Sequence, residues 1–397
     1  MAFFRNSVVN LLNLHYGIFA VVMNGGGVFA CAYLLSVGVS PAAVLASMAA
    51  VLLLRFVIRP AIVPLAVRLG LKPLVVAGTV LLAAQFPIIA EVHGVGVMLA
   101  VLIGVAALGD TVYWSTYHAY FAALGDQEHR GQQIGARQAI VAAVGVVAPL
   151  LTGWILVGFG PRAAFGASGI ATLLAAVPLI WTPAVPVVPR APGAFRAAAG
   201  GIRIFLTDGW MGAGLGFVWQ IALFLSLKES FLDFGGAMAL AASAAAAAGL
   251  VVGRRIDAGG GGRAVPVAAA GLAALMVLRA AAADHAALAV AANALASLGS
   301  CLYVPVEMTA LYNMAKRSPC PLRFQVAAEG AWDVGGGSAA LVAAAMLWCG
   351  VPISVVLLLP LIGLAAGAVV LRRYYAEQSL PATGLATAAT AASRGTG

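Results

Sequence analysis

The sequence is poor in charge. Of its 397 residues only 9% are Asp, Glu, Lys or Arg, while 63% are hydrophobic and mean hydropathy is +1.02. An ordinary soluble domain carries about a quarter charged residues. A chain this apolar could not cover a surface facing water, which excludes a soluble enzyme. Acidic residues are scarcer than basic ones, 13 against 22, for a balance of +9. In a soluble chain that would point to nucleic acid. Here it reads as membrane topology, and no nucleic-acid partner is expected. The cysteines (Cys31, Cys301, Cys320, Cys349) are scattered without CxxC spacing. They give neither a disulfide framework nor a metal site. No phosphate-cradling loop is present, which disfavours an ATP-driven pump. No cofactor is expected.

What is abundant is long apolar runs. A membrane helix needs roughly 20 such residues. Runs between charged or Pro/Gly breaks predict spans at 14–36, 41–67, 73–90, 95–122, 133–157, 162–183, 209–227, 235–252, 264–281, 286–312, 324–349 and 352–371. The first run is too long for the core of a cleavable signal. With the N-terminus inside, 17 of the 22 basic residues fall on cytoplasmic segments, and Arg162, Lys228 and Arg279 fall outside. This split predicts both termini in the cytoplasm and an even number of spans. The expected location is the plasma membrane, as in a bacterial inner membrane, with the lipid bilayer as solvent.

The chain aligns with itself. Leu108-Gly109 and Tyr113 meet Leu298-Gly299 and Tyr303 at an offset of 190. Gly70 and Lys72 meet Gly261 and Arg263 at 191, and Gln133, Ala136, Ala139 and Gly145 meet Gln325, Ala328, Ala331 and Gly337 at 192. Such parallel repeats suit transporters that rock two halves about a central site. The predicted organisation is an N-terminal six-helix bundle at 1–183, a cytoplasmic linker at 184–208, a C-terminal six-helix bundle at 209–373 and a disordered tail at 374–397.

Three local features carry a resemblance. Gly253-x-x-x-Asp257-x-x-Gly260 follows the eighth span, and Asp126-x-x-x-Arg130-Gly131 precedes a Gly-rich fifth span. Ala148-Pro149-x-x-x-Gly153 closes that span. Over roughly 10–375 the chain resembles the major facilitator superfamily. The first segment is similar to the second-half copy of the family's signature loop. The third is similar to the fifth-helix motif of its antiporters, without the first glycine of the Gly-Pro pair. The first-half loop departs from the pattern: Val63 and Val67 stand where the family usually has Gly and Asp, and Arg68, Gly70 and Lys72 remain. The resemblance implies an all-α membrane protein of twelve transmembrane helices in two pseudo-symmetric bundles. It also implies that the first, fourth, seventh and tenth helices line a cavity.

Ionisable side chains deep in a membrane cost about 2.5–3.5 kcal/mol each, so they face a cavity or one another. Arg55 and Arg59 share one face of the second span. By depth, Asp110 matches Arg55 and Asp333 matches Arg59, with Glu329 one turn below as an alternative partner. The first pair would hold one half together. The second would cross between halves and form only when the cytoplasmic side is closed. Arg137 and Glu329 occupy equivalent repeat positions and could pair at the inner gate, and Asp257 belongs to the signature loop. The fourth span also carries a stripe of Asp110, Tyr113, Trp114, Tyr117 and Phe121, flanked by His118. Its repeat mate carries Ser300, Tyr303 and Glu307. Aromatic faces with polar tips suit an organic ligand. Asn24, Trp219 and Gln220 would complete the ring. His15 reads as an ordinary residue at the membrane edge.

The expected function is a monomeric secondary active transporter that moves a small organic solute by alternating access. Protons are the expected coupling ion, through Asp110, Glu307, Glu329 or Asp333, and efflux is preferred over uptake. The alternatives are an uncoupled facilitator or lipid-moving member, a non-transporting scaffold or sensor, and a polytopic membrane enzyme.

Overall fold

The structure is a computed structural model that describes residues 6–124, 130–256 and 261–379. Within these, only the helical backbone is described at 130–139, 248–256, 261–264, 300–302, 305 and 379. The described residues contain helices and no strand. The spans are α1 (Ser7–Ser36), α2 (Pro41–Leu69), α3 (Leu71–Ala90), α4 (Val97–Leu124), α5 (Arg130–Phe159) and α6 (Pro161–Trp181). They continue with α7 (Ala199–Ser226), α8 (Phe231–Ile256), α9 (Gly261–Ala282), α10 (Ala286–Arg317), α11 (Pro321–Trp348) and α12 (Pro360–Ser379). Ten spans are individually long and apolar enough to cross a bilayer. The other two, α8 and α10, contain shorter apolar stretches, Phe231–Ala247 and Ala286–Gly299.

The first six spans and the last six form equivalent bundles. In one, α3 packs on α4 and α6; in the other, α9 packs on α10 and α12. Between the bundles, α2 packs on α11 and α5 on α8. The repeat shows in the backbone as well. α1 widens into a π-helical turn at Met23–Gly27 and α7 does so at Gly214–Val218, an offset of 191. Gly25 leaves helical geometry altogether there (φ −94°, ψ −108°).

Linker and chain end correct two boundaries drawn from sequence. The seventh span begins at Ala199, so Asp208 lies inside a membrane helix instead of closing the linker. The last helix continues through 374–379, and the rest of the tail lies outside the described residues. The first part of the linker is tied down along its path. Lys72 donates to the carbonyls of Ile180 (2.8 Å) and Thr182 (2.6 Å), capping α6. Arg323 of α11 donates to those of Val188 (3.1 Å) and Pro189 (2.8 Å). Gly70, at φ +80°, makes the sharp turn that lets Leu71 N–H reach the Val185 carbonyl at 2.9 Å.

The core is asymmetric across the membrane. On the side away from the termini, one continuous apolar cluster includes Phe29, Tyr33, Phe86 and Phe165 from the first bundle and Trp219, Phe224, Phe234 and Val356 from the second. On the side of the termini the core is divided. One cluster belongs to the first bundle and takes in Cys320, Leu322 and Val326 of α11, and the other belongs to the second. The two bundles are therefore sealed together on the far side.

Glycines set the far-side seam. A Cβ at Gly153 would lie 2.7 Å from the Phe231 carbonyl oxygen, and one at Gly235 would lie 2.6 Å from that of Pro149. Backbone meets backbone here, so a side chain at either position must separate α5 from α8. Phe29 and Phe234 cross the same seam with ring centroids 5.2 Å apart. Cysteines placed at 29 and 234 are expected to crosslink efficiently. Adding Gly235→Leu should abolish that crosslink, and an unchanged yield would mean that glycine contact does not hold this side closed.

Candidate functional site

Small residues on α11 bring the site together. A Cβ at Gly337 would lie 2.8 Å from Leu53 Cγ, and one at Gly336 would lie 3.0 Å from Leu52 Cδ1. Without those side chains α2 lies against α11, and the arginines of one bundle meet the acids of the other. Arg59 donates from Nε to Asp333 Oδ2 at 2.9 Å, and its Nη2 bonds the same oxygen. Its Nη1 donates to Glu329 Oε2 at 2.5 Å and to Ser115 Oγ at 2.7 Å. Arg55 Nε lies 3.0 Å from Asp333 Oδ1, and Arg55 Nη1 lies 3.4 Å from Asp110 Oδ2. His118 Nδ1 lies 3.2 Å from Glu329 Oε1. Arg59 is 2% exposed and Asp333 is 0% exposed.

The structure brings Arg55, Arg59, Asp110, Glu329 and Asp333 together, but not as two separate pairs. Asp333 is shared by both arginines, and Glu329 binds Arg59 alongside Asp333. A guanidinium offers five donors in a planar fork, so two of them can serve three carboxylates. Fully ionised, the cluster carries two positive and three negative charges. One proton balances it, either on His118 beside Glu329 or on a carboxyl.

A second polar group adjoins the first. Trp332 lies under Arg55, 5.9 Å from guanidinium carbon to ring centroid, and its Nε1 donates to Asp208 Oδ2 at 2.9 Å. Asp208 lies close to Glu307 of α10, with Tyr303 beside them. Polar contacts thus run from α2 through α11 and α7 to α10.

A cavity of about 180 Å³ lies between the bundles, lined by Asn24, Gly145 and Pro149 on one side and Met238, Ala242 and Ser297 on the other. Of the expected ligand ring, Asn24 is on its wall. Tyr113 and Tyr117 are not. Both are fully buried inside the first bundle, stacked on each other at 5.4 Å and packed against His15. His15 is itself a core residue, bonded to the Ala175 carbonyl (2.6 Å) and the Tyr113 hydroxyl (2.8 Å). Helical geometry separates the stripe into two faces: Asp110, Trp114 and His118 point one way, and the tyrosines point the other. Trp219 is buried against Asn293 and Arg279, and Tyr303 and Glu307 are buried in the second bundle, off the wall of this cavity. Gln220 is half-buried. The side chains of Ser300 and Arg137, and all of Asp257, lie outside the described residues. Ser115 and Asp208 join the site without having been singled out from sequence, as does His118, named there only as flanking the stripe.

Two helical bundles closed on one face, with buried ions bridging them, are the architecture of a membrane transporter. The family model of the Major Facilitator Superfamily matches residues 14–327, and the chain belongs to that superfamily. It is a multi-pass membrane transporter, not an enzyme. Solved structures share the fold at low identity. The POT family transporter PepTSo is 11% identical with a TM-score of 0.68, covering 95% of this chain and 99% of that one. A D-xylose-proton symporter is 14% identical with a TM-score of 0.68, covering 93% and 97%. The human organic anion transporter MFSD10 (TETRAN) is 17% identical with a TM-score of 0.62, covering 90% and 99%. No curated protein sequence matches the chain.

Proposed function

We propose that the protein is a proton-coupled secondary transporter that moves a small organic solute by alternating access, with the α2–α4–α11 ion cluster as its coupling element. The observation that carries this reading is the charge count across the bundle interface: two guanidiniums from α2 against Asp110 of α4 and Glu329 and Asp333 of α11. When the bundles part, Glu329 and Asp333 move away from the arginines that neutralise them. The closed, dry cluster holds one proton for its excess negative charge, and when the bundles part water solvates the carboxylates and the proton leaves. Asp110 stays with its own bundle and keeps Arg55. Asp208 and Glu307, two acids buried close together beside the cluster, are consistent with the same reading. The lean toward exchange of solute for protons, and so efflux, rests on the Ala148-Pro149-x-x-x-Gly153 segment, which packs directly against α8. The basic-residue split supports a bacterial inner membrane with cytoplasmic termini, so the sealed face is the outer one.

Asp110→Asn tests the reading. It removes the excess negative charge and leaves two arginines against two carboxylates, a cluster that needs no proton. A thermal-shift screen of the purified protein against metabolites and drugs supplies a solute for flux assays in proteoliposomes. Wild-type flux should follow an imposed pH gradient and collapse with an uncoupler. Asp110→Asn should retain exchange of solute but lose the gradient-driven component. Intact gradient-driven flux in the variant would remove Asp110 from the coupling mechanism.

A further inference from the structure

Arg279 on α9 is a buried cation that nothing in the ion cluster uses. It is 9% exposed, and among the described residues no carboxylate lies within ion-pair distance of it. Its partners are neutral and distant for a guanidinium: the Leu215 carbonyl at 3.2 Å and Asn293 Oδ1 at 3.3 Å, with the Trp219 ring centroid 4.6 Å away. Its Nε, also buried, bonds nothing. Charge-assisted bonds normally fall at about 2.7–2.9 Å. A desolvated cation without an anion is costly to keep, and such a residue inside a membrane protein ordinarily serves a ligand or a counter-ion.

The surroundings supply the rest of a site. Arg279 bonds Asn293, whose Nδ2 lies 3.7 Å from Met238 Sδ, and Met238 lines the cavity between the bundles. Ser297, one helical turn along α10 from Asn293, lines the same cavity. The Leu215 carbonyl that Arg279 holds belongs to the π-helical turn of α7. Asn293 therefore stands between a cation short of an anion and a largely apolar space. We propose that Arg279 binds the carboxylate of a small organic acid whose apolar body occupies this cavity, the carboxylate oxygens replacing the Asn293 and Leu215 carbonyl oxygens on the guanidinium. This rests on the transporter reading above and names its substrate class: a small amphipathic monocarboxylate. Releasing the Leu215 carbonyl would loosen the turn of α7 as the ligand arrives.

The test is equilibrium binding of radiolabelled benzoate to the full-length protein in lipid nanodiscs, without any proton gradient. Wild type should bind benzoate saturably, and the neutral, size-matched benzamide should not compete. Arg279→Gln should weaken benzoate at least tenfold, and Arg279→Lys should weaken it less. Asn293→Asp covers the case in which Arg279→Gln does not fold, because it places an internal carboxylate on the guanidinium. That variant trades the Asn293 Nδ2 bond to the Ala237 carbonyl (3.1 Å) for an ion pair with Arg279, and it should stay folded and lose benzoate binding. Absence of saturable benzoate binding to wild type, equal competition by benzamide, or wild-type affinity in Arg279→Gln or Asn293→Asp would each overturn the proposal. None of these results depends on proton coupling, and Asp110→Asn, which tests that coupling, leaves Arg279 untouched.

Discussion

Arg59→Ala should be among the most damaging substitutions in this chain. It leaves Asp333, which is fully buried, sharing only Arg55, and strips Glu329 of its guanidinium while keeping both charges out of water. Removing one partner of a buried ion pair typically costs about 3–5 kcal/mol. The expected result is a marked drop in unfolding temperature in nanodiscs together with background-level flux. Arg59→Lys separates the two effects. An ammonium restores one positive charge but cannot place Nε and Nη2 on Asp333 while Nη1 reaches Glu329 and Ser115. Stability should return in part and transport should not. Cysteines at 59 and 333 report on the same contact. If the pair switches during transport, they should crosslink in one state only, and equal crosslinking in every state would make it a static brace.

The second large effect is expected at Gly335. A Cβ there would lie 2.1 Å from the Leu206 carbonyl oxygen and 3.1 Å from the Trp210 nitrogen. Both neighbours are backbone of α7 and cannot turn aside. Overpacking ordinarily costs about 1–3 kcal/mol. Forcing two helix backbones apart through Gly335→Leu should exceed the upper end of that range. It also pulls Trp332 away from Asp208 and so breaks the polar connection between α11 and α7. Loss of the monodisperse peak in size-exclusion chromatography is the expected readout. Gly104→Leu is the control, since nothing lies within 4 Å of a Cβ at that position. Similar behaviour of the two variants would show that close helix approach at Gly335 is not what stabilises the bundle.

The architecture was legible because the membrane writes it in large letters. Apolar runs, basic-residue asymmetry and a repeat offset are summed over hundreds of residues and survive local errors. The site was legible in part. Arg55 and Arg59, four apart, had to face something ionic, and helix depth narrowed their partners to acids of α4 and α11. Depth fixes height but not the sharing of one carboxylate between two cations, which depends on how closely α2 and α11 approach. Gly336 and Gly337 permit that approach, and glycine is too common in this chain to announce it. Three residues escaped for other reasons. His118 lies two turns from Asp110 on the same face, a spacing of eight that was there to be read; grouping it with the tyrosines hid it. Asp208 lay beyond the predicted start of its span, because a charge near an apolar run looks like a boundary. His15, near a helix end, looked interfacial, yet its ring is held by a carbonyl contributed by α6, well over a hundred residues away in sequence.

The matching widened turns of α1 and α7 have a mechanical consequence. An extra residue in a turn leaves the backbone ladder out of step, so each helix has a compliant joint at a fixed height. The joints sit at corresponding positions in the two bundles. A molecule that rocks as proposed above would bend both halves at the same level, and the duplicated sequence would give the opening and closing strokes a common axis.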